Sequence, residues 1–118
     1  MAKYLVLIYG DAQQWADMSA AEGEALGAAH RAFVTKAGAG VLSGHELEWG
    51  TTATTLRADA TGRVTPTDGP FLETKEVLGG YYLLEAADLD QAISLCSLLR
   101  EVHAGHSGVE IRPVKEHS

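Results

Sequence analysis

Residues 3–9 read Lys3-Tyr4-Leu5-Val6-Leu7-Ile8-Tyr9, a short aromatic and branched aliphatic run that Gly10-Asp11 brings to an end. Successive side chains of a strand point to opposite faces, so Tyr4, Val6 and Ile8 lie on one side and Leu5, Leu7 and Tyr9 on the other. Both sets are apolar. A sheet covered on one face alone would alternate apolar with polar residues. Tyr81-Tyr82-Leu83-Leu84-Glu85 repeats the pattern, with Tyr81 and Leu83 opposing Tyr82 and Leu84.

Between and around these strands the chain alternates in type. Gly10 to Met18 is a polar stretch carrying Trp15. Ser19-Ala20-Ala21-Glu22 has the spacing of a helix-opening capping box. The helix it opens carries Leu26, His30, Phe33 and Ala37 along one stripe, and Gly38 and Gly40 stop it. Val41 to Trp49 reads as a second strand and Thr51 to Arg57 as a third. Asp59-Ala60-Thr61-Gly62 is turn chemistry leading into Arg63 to Thr65, and a loop over Thr67 to Gly80 precedes the Tyr81 strand. Asp88-Leu89-Asp90-Gln91 opens a second helix with an expected apolar stripe of Leu89, Ala92, Ile93, Cys96 and Leu99. Val109-Glu110-Ile111-Arg112 alternates as a last strand. The order is that of an α+β, ferredoxin-like βαββαβ sandwich with a β-hairpin excursion, in one domain over residues 1–118.

Two helices can cover only one face of such a sheet. Leaving four or five large side chains exposed on the other would cost roughly 1.5–3 kcal/mol each. The simplest cover is the same face of a second copy, an isologous homodimer. The alternative is the hairpin excursion folding back as a lid on a monomer.

The 9 Lys and Arg against 16 Asp and Glu give a net charge of −7, and the basic residues are scattered, which argues against a nucleic-acid surface. The apolar run at residues 4–9 is too short for a membrane span or a signal-peptide core. The lone Cys96 has no partner for an internal disulfide, and the expected setting is the cytoplasm. His103-x-x-His106 lacks a third ligand at a useful spacing, and no phosphate-binding or dinucleotide-binding glycine pattern occurs. No metal and no cofactor is expected.

The loop carries the most unusual sequence, Asp68-Gly69-Pro70-Phe71-Leu72-Glu73-Thr74-Lys75-Glu76-Val77-Leu78-Gly79-Gly80-Tyr81-Tyr82. Asp-Gly-Pro is a turn, Phe71 would anchor it by burial, and Gly79-Gly80 suggests a bulge. This run resembles the signature of the YCII-related (DGPF-motif) family. Tyr9, Trp15, His30, Gly38 to Gly44, Thr52 to Arg57, Asp88-Leu89-Asp90 and residues 109–114 fit as well. The resemblance implies a dimeric α+β barrel. It also implies a pocket with a His–Asp pair in some relatives, a dechlorinating activity in one, and an association of DGPF-type proteins with extracytoplasmic-function sigma factors.

His30 shares its stripe with Leu26 and Phe33 and so faces the sheet, where an imidazole needs a polar partner or a cavity. Asp68 is the expected partner if the loop returns over the helix, making His30 a general acid/base and Asp68 its orienting group. The alternative is a satisfied core histidine and a turn aspartate. Tyr9, Gly69, Pro70, Phe71, Glu73, Lys75 and Tyr82 are the candidate ligand-binding residues. Ion pairs in a solvated loop explain Glu73, Lys75 and Glu76 more readily than a pocket does, and aromatic packing explains the tyrosines as well. These readings point to a cofactor-independent lyase or hydrolase acting on a small organic molecule. The alternative is a non-catalytic regulatory or ligand-binding protein working with a sigma factor, or an accessory domain that only dimerises.

Overall fold

The computed structural model describes residues 1–117. Strand β1 (Ala2–Asp11) leads into a five-residue helix α1 (Ala12–Ala16) and the long helix α2 (Ala20–Ala37). Then follow β2 (Val41–Glu46), β3 (Thr54–Ala58), β4 (Val64–Asp68), β5 (Glu76–Ala86), helix α3 (Leu89–Cys96) and β6 (Ser107–Pro113). β2, β5, β1 and β6 form one sheet in that order, with every neighbouring pair antiparallel, and β3 and β4 form a separate hairpin. This is the ferredoxin-like α+β arrangement expected from the element order.

The helix starts are where the capping residues put them. Ser19 Oγ accepts from the Glu22 N–H, and Asp88 Oδ1 accepts from the Gln91 N–H while the Gln91 side chain accepts from the Ala87 N–H. The polar stretch after β1 also folds, into α1, because Asp11 caps it through the Gln13 and Gln14 N–H groups.

Tyr4, Val6 and Ile8 face the helices and are buried, whereas Leu5, Leu7 and Tyr9 are half-buried on the outer face. Phe33, Leu84, Leu99 and Val6 form the fully buried centre, joined by Ala86, Ala92, Leu95 and Cys96. Removing each of the large ones from water stabilises the fold by about 1.5–3 kcal/mol. α3 buries Ala92, Leu95 and Cys96, with Leu99 buried just past its end, a stripe rotated from the expected one. Leu89 and Ile93 are 46% and 48% exposed. The helix ends at Cys96.

The loop expected over Thr67 to Gly80 is shorter. β4 runs on to Asp68 and β5 begins at Glu76, because the early part of β5 pairs with Tyr9, Gly10 and Asp11. Gly79 is the extra residue at the register slip, since Ile8 pairs with Gly80 and Tyr9 with Leu78. The β3–β4 hairpin does not fold back as a lid, and its residues are almost all exposed. The molecule measures 49 × 45 × 19 Å with a radius of gyration of 16.3 Å. A compact chain of this length would have about 13.5 Å. The excess reflects the standing hairpin, and one face of a two-layer slab stays open.

Candidate functional site

Between the first half of α2 and the β2–β5 end of the sheet lies a cavity of about 800 Å³. Trp15 and Met18 wall it from α1 and the turn that follows. Leu26 and His30 wall it from α2, and Leu47 and Trp49 from the segment after β2. Glycines make the room. A Cβ at Gly79 would lie 2.5 Å from the Trp15 ring and one at Gly10 2.3 Å from it, so the indole lies against bare backbone. A Cβ at Gly44 would stand 2.4 Å from the Tyr82 ring, which reaches across β2 because none is there.

Three polar side chains meet in this cavity. His30 Nδ1 is 2.7 Å from the Tyr82 hydroxyl, and His30 Nε2 is 2.8 and 3.0 Å from the two Glu101 carboxylate oxygens. An ionised carboxylate can only accept, so Nε2–H donates to Glu101, which fixes the ring orientation. Glu101 is 5% exposed and sits on a 3₁₀ turn, Arg100–Val102, whose Glu101 carbonyl accepts from Ser107 Oγ at 2.9 Å. A buried carboxylate is tolerated because the imidazole N–H supplies it with a hydrogen-bond donor. Phe33 backs Tyr82 with ring centroids 4.7 Å apart. Burial, and then the negative charge of Glu101, raise the Tyr82 pKa above its ordinary value, so the phenol stays protonated.

Set beside known proteins, residues 2–118 match the YCII-related domain. The chain belongs to the YCII-related family. An uncharacterized protein of Rhizobium meliloti (strain 1021) is 36% identical over 115 residues, covering 94% of this chain and 90% of the relative.

Within this YCII-related fold the expected site residues separate. His30 and Tyr82 line the cavity together. Asp68 is not the partner of His30: both ring nitrogens are taken by Tyr82 and Glu101, and Asp68 is exposed at the end of β4, opposite Thr54. The physical reason is the hairpin, which stands away from α2 instead of returning over it.

Gly69 holds the turn in the left-handed region at φ 103°. Its N–H donates to the Ala53 carbonyl and its own carbonyl accepts from Thr55 Oγ1, both at 2.7 Å. Pro70 packs beside Gly50. Phe71 does not anchor the turn by burial: it is 62% exposed, with the Arg57 guanidinium 4.2 Å over its ring. Glu73 and Lys75 are exposed and outside the cavity lining, and Tyr9 lies on the outer face of the sheet beside Glu76 and Glu110.

His103 donates from Nε2 to the Ser97 carbonyl. Among the described residues no group of three or more metal-ligating side chains converges, and no helix is long and apolar enough to cross a membrane. Burial pushes the Cys96 thiol up to about 11, which makes it a poor nucleophile.

Glu101 was not legible as a site residue. Continuing the α3 spacing Ala92, Leu95, Cys96, Leu99 would bury residues 102 and 103 next. The 3₁₀ turn breaks that count and brings the carboxylate inward.

Proposed function

We propose that this YCII-related protein catalyses cofactor-free proton transfer on a small organic molecule, with Glu101, His30 and Tyr82 as one relay. The observation that carries the proposal is the pair of hydrogen bonds, one to each nitrogen of a single ring, inside a cavity. With His30 neutral, Tyr82 O–H donates to Nδ1 and presents an oxygen lone pair to the cavity. A substrate proton arriving at that oxygen sends the phenol proton to Nδ1, leaving an imidazolium balanced by the Glu101 carboxylate. In the imidazolium state Nδ1–H donates to the Tyr82 oxygen and the phenol O–H faces the cavity, ready to return a proton. The relay therefore accepts one proton and gives one back, the step that a lyase or hydrolase of a small molecule requires.

The partner of this domain is a second copy of itself. Leu5 opposite Leu83, and Leu7 opposite Tyr81, form an apolar strip on the outer face, half-buried in one chain. Joining two such strips would complete the two-sided strands, with the standing hairpins free to reach the other copy.

The test is deuterium exchange in D₂O at carbon positions next to the carbonyl of a panel of small ketones, lactones and esters, followed by NMR. Exchange above buffer in the native protein, falling by about 10²-fold or more in His30→Gln, is expected of a general acid/base. Native exchange no faster than buffer, or equal exchange in the variant, removes the catalytic reading. The former outcome favours a non-catalytic ligand-binding or sigma-factor-linked regulator.

A further inference from the structure

The charges around the cavity discriminate among ligands. Of its lining residues, Glu46, Glu48 and Glu101 carry acidic side chains, and none is Lys or Arg. The nearest cation along α2 is the exposed Arg31, not itself a lining residue, whose Nη1 lies 3.2 Å from where a Cβ on the lining Gly27 would stand. Glu101 is buried at the relay, whereas Glu46 and Glu48 stand exposed where β2 ends and the next segment begins. The same cavity is lined by two indoles, Trp15 and Trp49, with Met18, Leu26 and Leu47. Indole faces attract cations as well as apolar bodies.

From this we infer that the cavity selects an organic cation, an amine carried on an aromatic or other apolar body, and rejects carboxylates and phosphates. The inference rests on the reading of the cavity as a small-molecule site and adds the class of its ligand. An incoming anion would lose its water against Glu46, Glu48 and Glu101 with no lining guanidinium or ammonium to meet it, and His30, the ring that the relay charges, already faces Glu101. That is the repulsive half of specificity. An ammonium meets carboxylates at the rim and indole faces within, while its apolar body displaces water from Leu26 and Leu47.

Three probes of one shape and different charge test this on the intact native protein: 2-phenylethylamine, 2-phenylethanol and phenylacetate, each titrated by calorimetry at low salt. The amine is expected to bind about tenfold tighter than the alcohol, and phenylacetate to give no measurable heat. Added salt and the double variant Glu46→Gln/Glu48→Gln should each bring the amine toward the alcohol. Phenylacetate binding as tightly as the amine overturns the inference, as does an amine no tighter than the alcohol or no binding by any probe. Because these titrations involve no turnover, they read the charge preference alone. The deuterium experiment reads the relay alone, so either can fail while the other stands.

Discussion

The two ends of the helix–sheet layer differ sharply although the same elements, α2 and β5, run through both. At one end Phe33, Leu84, Leu99, Ala92 and Cys96 fill the space completely. At the other, the bare backbone of Gly44 and Gly79 is covered by the Tyr82 and Trp15 rings, and those rings wall a cavity. A cavity of this kind costs dispersion contacts along its walls. The filled end supplies the stability that makes it tolerable, and the relay sits at the boundary, where Phe33 touches Tyr82.

The largest effect is expected at the filled end. Phe33→Ala deletes a ring with no solvent exposure that touches both the core cluster and Tyr82, and should cost about 3–5 kcal/mol. Urea unfolding measures it. A loss under about 1.5 kcal/mol, the range of a well-tolerated core swap, would mean that the layer relaxes and that the distinction between the two ends is false.

The same end predicts alkaline weakness. The Cys96 thiol has an ordinary value of 9.0 and is pushed up to about 11 by burial in the folded chain. Between these values the unfolded chain has released the proton and the folded chain still holds it, so rising pH favours unfolding. Stability is undiminished below pH 9 and falls through the interval to about 11, by about 2 kcal/mol at the top. Tyr82, raised in the same direction, adds to the loss above pH 10. Chemical denaturation across pH 8–11 should show this slope in the native chain and a shallower one in Cys96→Ala. Equal slopes would assign the loss to other groups.

Much of this contrast was readable in advance, and the part that was not has a definite cause. The apolar runs in β1 and β5 located two strands with apolar residues on both faces, because strand alternation is a local rule. Ser19 and Asp88 located the helix starts for the same reason. His30 was recognisable as inward-facing from its stripe with Phe33. Its partner was not, because Asp68 belongs to a hairpin whose direction depends on contacts distant in sequence, and Glu101 lies on a turn that helical spacing does not describe. The glycines Gly44 and Gly79 were visible as residues, but their role needed the positions of Tyr82 and Trp15.

At the hollow end, Gly79→Ala should act mainly on shape. The new methyl would meet the Trp15 ring at 2.5 Å and push the indole off β5. Trp15 stands on a five-residue surface helix and can move, so the stability cost should be about 1–2 kcal/mol, in the lower part of the range for overpacking. Binding of 2-phenylethylamine should fall with it, since one of the two indole walls is displaced. Calorimetry of the variant beside its unfolding curve separates the two effects, and unchanged affinity would remove Trp15 from the wall.

Trp49→Ala gives the smallest change in stability and the cleanest division between the two ends. Trp49 is 50% exposed and follows the end of β2, outside the buried cluster. An aromatic ring half in water yields only part of the burial energy of a core residue, and its removal should shift unfolding by less than about 1 kcal/mol. The same ring closes the mouth of the cavity beside Glu48 and Gly50. Losing it should weaken an aromatic amine by about threefold or more, the scale of one cation–π contact at a partly exposed site. Phe33→Ala destabilises the fold and Trp49→Ala weakens binding. If Trp49→Ala unfolded the chain as readily as Phe33→Ala, the segment after β2 would belong to the core and the cavity would be a packing fault rather than a built hollow. If it left both stability and amine binding untouched, the mouth of the cavity would have to be drawn without it.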